Sequence, residues 1–298
     1  MSLADLPLFE MQRAPSLAAL VALVGERHAR GQRTVLYAGG TDWMVEQELR
    51  PTLPPEAEVP LVVDVSRMDE LRGVRLEGET LRIGAAATYL ELRRSPAVIE
   101  RAPLLARASE DVGAIQIQAR GTLGGNLATA SPAADGVAAL AAYDAVILVE
   151  SVRGPRRIPM QELQTGYKRG ARAADEVIVA VELALPRVGS PWLWRKVGAR
   201  RAQAISKVAL AGVAEVIGGR ARRFGVGMAS VAPVTALLPS LRALALGKDL
   251  AAIGGEEVDG AIEADIAPID DVRSTGRYRL HCAKAVAREF LRALGAPM

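Results

Sequence analysis

Apolar positions recur with two different periods along the chain, and the switches between them outline its elements. After Pro15-Ser16, the positions Leu17, Leu20, Val21 and Val24 repeat at helical spacing, which predicts a capped amphipathic helix ending near Gly31. Thr34–Tyr37 reads as a short strand running into Gly39-Gly40, with a short helix over residues 42–49 beyond it. The Pro-rich residues 51–60 predict a loop, and Leu61-Val62-Val63-Asp64-Val65 a buried strand. Strands near 73–76 and 81–85 flank a turn at Gly78, and a helix starts at Thr88. Further helices are expected over 103–112 and from Ser131-Pro132, where Ser can cap and Pro suits the first turn. Residues 145–150 and 176–185 are the remaining strands of this half, closed by Pro186.

A domain boundary is expected at residues 186–191. This gives a first domain over 1–186, with an internal boundary at about 55–60, and a second over 187–298. In the second, Trp192–Val197, Val208–Ile217 and residues 223–231 alternate in a way that suggests a small sheet, although Val208–Ile217 suits a helix equally well. A last helix is expected over 278–294. The mixture makes an α+β protein.

Composition narrows the chemistry. Half of the 298 residues are hydrophobic but only 4% are aromatic, so the core must be built from Ala, Val, Leu and Ile. No apolar run is long enough to span a bilayer, and no basic-then-apolar signal pattern opens the chain, which points to a cytoplasmic protein. The net charge of +3 is mild, and the basic stretches 195–201 and 220–223 lack the interleaved aromatics that stack on bases, so nucleic acid is not an expected partner. Cys282 is the single cysteine and His28 and His281 the only histidines. An iron–sulfur cluster, which takes about four ligands, cannot sit on this chain, and both histidines are read as structural. No catalytic acid–base residue and no metal site is assigned. Redox chemistry here would need a bound organic cofactor.

Two glycine pairs are candidates for holding one. Ala38-Gly39-Gly40-Thr41-Asp42 and Thr122-Leu123-Gly124-Gly125-Asn126 each follow small or apolar residues and carry Thr beside the pair. Glycine permits positive φ, and successive N–H groups in such turns form an anion-binding concavity. Ordinary tight turns fit the same pattern. Neither pair matches G-x-G-x-x-G, and Gly225-Val226-Gly227 lies inside an apparent strand, so a nicotinamide-binding Rossmann domain is disfavoured.

The sequence resembles the FAD-binding subunit of the molybdenum hydroxylases, the xanthine dehydrogenase and carbon monoxide dehydrogenase family. The resemblance rests on Leu36-Tyr37-Ala38-Gly39-Gly40-Thr41-Asp42, on residues 121–135 (Gly-Thr-Leu-Gly-Gly-Asn-Leu-Ala-Thr-Ala-Ser-Pro-Ala-Ala-Asp), and on Arg195-Lys196-Val197-Gly198 with Ile205-Ser206-Lys207-Val208. It implies a two-subdomain FAD-binding fold of the vanillyl-alcohol oxidase (PCMH) type followed by a small α+β C-terminal domain. It also implies that Ala38, Gly39, Gly40, Thr41 and Asp42 cradle the FAD pyrophosphate from one side, and Thr122, Gly124, Gly125 and Asn126 from the other. Asp135 corresponds to an aspartate near the FAD ribose, Lys196 to a lysine close to the flavin, and the backbone at Ala171-Arg172 to a further contact. Arg200 and Arg201 fall in a loop placed near the isoalloxazine ring, and Val112 stands where a relative has an aromatic contact.

The implied role is electron transfer. A large molybdopterin subunit oxidises substrate, two [2Fe-2S] clusters in a small subunit relay electrons to FAD, and an external acceptor (NAD, a quinone, ferredoxin or oxygen) takes them. The assembly would be a dimer of heterotrimers. The absence of an inserted cysteine-rich loop implies no extra cluster. A self-sufficient FAD-dependent oxidase or dehydrogenase of the same fold is the alternative.

Overall fold

Residues 9–48 and 60–298 are described by the structure, a computed structural model. The loop expected over 51–60 (all but Pro60), the internal boundary at about 55–60 and the start of the N-terminal stretch lie outside the described residues. Strand β1 (Met11–Gln12), helix α1 (Leu17–Ala29), strand β2 (Thr34–Tyr37), helix α2 (Trp43–Glu48) and strand β3 (Leu61–Asp64) come first. Ser16 caps α1, its Oγ accepting the Ala19 N–H at 3.2 Å. Leu20, Val21 and Val24 are buried in one core cluster with Leu61 and Val63. Both β1 and β2 pair with β3 in parallel, Tyr37 standing opposite Asp64. The carboxyl end of β2 therefore feeds directly into residues 38–42, the position at which parallel αβ units bind ligands.

Strands β4 (Val74–Glu77) and β5 (Thr80–Gly84) lead into six short helices: α3 (Tyr89–Arg94), α4 (Pro96–Arg101), α5 (Pro103–Glu110), α6 (Ile115–Arg120), α7 (Leu123–Thr129) and α8 (Asp135–Ala142). Then come β6 (Val146–Ser151), β7 (Gly154–Pro159), α9 (Met160–Leu163), the small hairpin β8 (Gln164–Gly166) and β9 (Arg169–Gly170), and β10 (Val177–Ala184). An antiparallel sheet in the order β4-β5-β10-β6-β7 carries the helices on its apolar face, with Leu81, Ile83, Ile147 and Val181 packed into one cluster with Tyr89, Leu104, Leu123 and Leu140. Hydrophobic alternation does not predict β7, because Pro155, Arg156, Arg157 and Pro159 mask it. Proline and charge are what a solvent-facing edge strand carries. The helix expected from Ser131-Pro132 begins only at Asp135, and residues 131–134 form a turn before it.

The last third contains β11 (Trp192–Val197), β12 (Val208–Ile217) and β13 (Arg220–Ala229) in one antiparallel sheet, then α10 (Pro239–Ala245), α11 (Gly255–Asp265) and α12 (Gly276–Ala293). Residues 208–217 are strand rather than helix, and seven consecutive residues from Val208 are buried. Their run is continuous because both faces of the sheet are covered. On one face Phe290 of α12 lies over Gly212, where a Cβ would stand 2.5 Å from its ring. On the other, α8 lies on Gly225 and Gly227, and a Cβ on Gly225 would stand 1.9 Å from the Ala142 carbonyl oxygen. These glycines serve close packing rather than nucleotide binding. Gly225→Ala should accordingly lower stability by about 1–3 kcal/mol, the usual range for overpacking. A urea midpoint indistinguishable from that of the unmodified protein would contradict this reading of the α8–sheet contact. Among the described residues, no helix is long and apolar enough to cross a membrane.

Candidate functional site

The two glycine segments, far apart in sequence, meet in space. Gly39 packs so closely on the end of α6 that a Cβ would stand 2.1 Å from the Arg120 carbonyl oxygen. The Arg120 guanidinium donates to the Gly39 carbonyl at 3.4 Å and to the Tyr37 hydroxyl at 3.3 Å. Across the junction, the Thr129 hydroxyl donates to the Asp42 carboxylate at 2.8 Å. Together with the end of α1 and residues between Lys168 and Ile178, these segments wall a cavity of about 880 Å³. That is a size typical of ligand and cofactor sites.

Similar sequence hides two different backbone designs. Residues 38–42 form a true loop, in which Gly40 has φ +74°. Among the described residues, the N–H groups of Gly39, Gly40, Thr41 and Asp42 find no protein acceptor. Such a run of unspent N–H dipoles suits an anion. Thr122 instead caps α7, its Oγ1 accepting the Gly125 N–H at 3.1 Å. The N–H groups of Leu123, Gly124 and Asn126 donate to the carbonyls of Ala87, Ala85 and Thr122 at 3.0, 2.8 and 3.0 Å. Neither Gly124 nor Gly125 has positive φ. The expectation of a second turn is thus corrected to a helix start. A Cβ on Gly124 would meet the Ala85 methyl and carbonyl at 2.7 Å, and one on Gly125 would meet the capping Thr122 hydroxyl at 2.9 Å. Thr122, Gly124, Gly125 and Asn126 still line the cavity, and Asn126 Oδ1 has no partner among the described residues.

Asp135 and Lys196 do not line that cavity; they meet each other. Lys196 Nζ, on β11, donates to Asp135 Oδ2 at 2.6 Å and to the Asp111 carbonyl at 2.8 Å. Both side chains are about nine-tenths buried, at 10% and 9% exposure. Burial pushes the Asp135 carboxyl up to about 6, against the lowering pull of the Lys196 charge. Trp194, on the same strand, donates its indole N–H to Asp111 Oδ2 at 2.8 Å, so β11 is tied to the helices at two points.

Arg172 lines the cavity and donates to the Ala173 and Glu176 carbonyls at 3.0 and 2.7 Å. Burial pulls its guanidinium below the ordinary value, against the carboxylates of Glu176 and Asp175, yet arginine keeps its charge. The neighbouring Glu176 is already paired with Arg156 at 2.7 Å, which leaves the Arg172 cation without a salt-bridge partner among the described residues. The lining also includes Tyr37, Thr129 and Val112, which the motifs and the resemblance name, and Trp43, Tyr89 and Lys168, which carry no signal in the sequence. Aromatic Tyr37 and Trp43 pack edge to face at 5.7 Å and 83°. His28, read as structural, stands exposed at the cavity wall. Arg200 folds back on the carbonyls of Ala202 and Gln203, and neither it nor Arg201 lines the cavity.

Comparison with known proteins adds three findings. Residues 7–186 match the family described as the FAD binding domain in molybdopterin dehydrogenase, and residues 194–294 the CO dehydrogenase flavoprotein C-terminal domain. The chain is 30% identical over 296 residues to the carbon monoxide dehydrogenase medium chain of Hydrogenophaga pseudoflava, covering 97% of this chain and 98% of that one. It is 35% identical over 176 residues to the nicotinate dehydrogenase FAD-subunit of Eubacterium barkeri, covering 58% of each. Among solved structures, carbon monoxide dehydrogenase from Hydrogenophaga pseudoflava superposes with a TM-score of 0.87 at 29% identity, covering 97% of this chain and 98% of that one.

Proposed function

Because the chain belongs to the family of FAD-binding domains of molybdopterin dehydrogenases, we propose that it is the electron-transfer subunit of a three-subunit molybdenum hydroxylase. In this reading it takes electrons from the [2Fe-2S] clusters of a small partner and delivers them to an external acceptor, while a large molybdopterin subunit oxidises the substrate. The observation that carries the reading is the loop of Gly39, Gly40, Thr41 and Asp42, whose N–H groups lack acceptors among the described residues beside a cavity of about 880 Å³.

Those N–H groups would hold the cofactor diphosphate, and Ala38, which has no polar side chain, lets the backbone come close. Arg172 brings a half-buried positive charge to the same cavity and offsets negative charge there. Thr122, Gly124 and Gly125 form a wall without bulk, and Asn126 presents an amide to the bound molecule. Asp135 and Lys196 fix β11 against α8 and set the charge behind the site. When bound, FAD supplies the redox chemistry; the protein supplies binding, orientation and electrostatics. The relatives' names, medium chain and FAD-subunit, support a role as one part of an assembly.

Co-expression with the small and large partners tests this. The expected result is a complex containing all three chains, in which substrate bleaches the flavin absorbance, while the isolated flavin-loaded chain is not bleached by the same substrate. Bleaching and turnover by the isolated chain would contradict it and favour a self-sufficient oxidase.

A further inference from the structure

In the last third of the chain, three segments meet at a corner where each holds an apolar side chain in water. Ile205 on the β11–β12 loop, Ile269 and Val272 before α12, and Tyr278 in the first turn of α12 are all exposed, Val272 fully so at 104%. Arg279 gathers these segments. Its buried guanidinium donates to the Lys207 and Ser230 carbonyls at 3.0 and 2.8 Å and to the Asp271 carboxylate at 2.6 Å. Lys207 Nζ lies 5.1 Å from the centre of the Tyr278 ring. Val272 and Arg273 form the tip of a tight turn closed by paired backbone bonds between Asp271 and Ser274. The Asp271 carboxylate braces it further, accepting the Arg273 and Ser274 N–H groups at 2.8 and 3.1 Å. An apolar side chain held wholly in water by such a turn contributes nothing to folding. Single exposed apolar residues are ordinary, but several gathered on one braced corner mark a binding surface.

Charge around the corner indicates what covers it. Residues 200–207 and 269–279 hold six basic side chains and two aspartates, against 37 basic and 34 acidic residues in the whole chain. Both aspartates are engaged, Asp270 with the Gly276 N–H at 2.6 Å and Asp271 with Arg273 and Arg279. Lys207, Arg277, Arg200 and Arg201 have no carboxylate partner among the described residues. A second copy of this chain would set the same cations face to face, and like surfaces repel. An acidic surface with an apolar centre is complementary in both respects. Two ferric ions do not balance two sulfides and four thiolates, so a chain carrying [2Fe-2S] clusters brings negative charge with it. The position suits such a chain as well. The loop bearing Ile205 leaves β11 just after Lys196, whose ammonium reaches the Asp111 carbonyl beside Val112 of the cavity wall.

Resting on the three-subunit reading above, we infer that this corner docks the small [2Fe-2S] partner. Val272 and Tyr278 form the apolar centre of the interface, and Lys207 and Arg277 its cationic rim. Docking there brings the electron donor to the Val112 side of the cofactor cavity.

The test pairs Val272→Asp with Arg277→Glu. Val272 is fully exposed and has no positive φ, so its replacement should leave the fold intact; FAD binding and the unfolding midpoint of each isolated variant check this. Titration of the flavin-loaded 298-residue chain with purified small partner should show affinity lower on the order of tenfold in each variant, with a flatter salt dependence in Arg277→Glu. Substrate should also bleach the flavin of the assembled three-chain complex more slowly. Unchanged affinity of both variants for the small partner would overturn the inference. Loss of the large partner, of self-association or of binding to phosphatidylserine vesicles in its place would identify a different occupant. An unmodified chain that holds FAD yet binds neither partner would instead overturn the three-subunit reading, and this docking with it.

Discussion

Gly39→Ala is expected to strip FAD from the protein, with affinity falling on the order of a hundredfold. The new methyl would stand 2.1 Å from the Arg120 carbonyl oxygen and 2.7 Å from its carbon. That wall cannot retreat, because the next residue is held from both sides: the Gly121 N–H donates to the Ile117 carbonyl at 2.6 Å and its carbonyl accepts from Tyr89 at 3.1 Å. The loop of residues 38–42 must move instead, and its N–H groups move with it. Overpacking costs about 1–3 kcal/mol, and the upper end converts to the expected hundredfold. Flavin fluorescence titration measures it. Gly78→Ala is the control: it strains a positive φ of +62° in open space, so it should lower stability and leave FAD affinity unchanged. Equal affinity for Gly39→Ala and the unmodified chain would show that the loop does not hold the cofactor.

Lys196→Met is expected to destabilise the fold by about 3–5 kcal/mol at neutral pH, because it leaves the Asp135 carboxylate buried and uncompensated. Adding Asp135→Asn should recover most of the loss. The pH dependence has a definite sign. Asp135 titrates near 6 when folded, above the ordinary value of 3.8, so between about pH 4 and 6 the folded state holds the proton more often than the unfolded state. Stability from this group is therefore greatest at low pH and falls as pH rises through that window. Relative to Asp135→Asn, the unmodified protein should lose stability from about pH 4 to 6 and then level off. In Lys196→Met the lowering influence of the ammonium is gone, so the decline should extend to higher pH and the deficit should shrink on acidification. Thermal midpoints across pH check both. A Lys196→Met deficit constant from pH 4 to 8 would contradict the buried-pair account.

The parts of the fold that were legible in sequence are those whose cause is local. Helix α1 announces itself through Ser16 and its apolar stripe, β2 and β3 through short β-branched runs, and α12 through its long amphipathic pattern. What stayed hidden depends on distant partners. The burial of β12 on two faces, which decides strand against helix, comes from α8 and α12 together. Gly124 and Gly125 look like a turn because glycine has two uses, positive φ and close approach, and only the positions of Ala85 and the Thr122 hydroxyl reveal which applies. Asp135 meets Lys196 across 61 residues, and neither side chain signals the other in sequence. Nothing local marks Tyr89, whose buried hydroxyl stands near Asn126 and has no partner among the described residues. The family motifs mark both segments, and only the folded contacts separate the loop with unspent N–H groups from the helix start that packs against it.

The most direct test is titration of the purified 298-residue chain with FAD, read by visible flavin absorbance and by the unfolding midpoint. A site built from residues 38–42, Asn126 and Arg172 predicts saturable one-to-one binding, a yellow protein after removal of free cofactor, and a raised midpoint. A chain that stays colourless, with a midpoint unmoved by excess FAD, would contradict it.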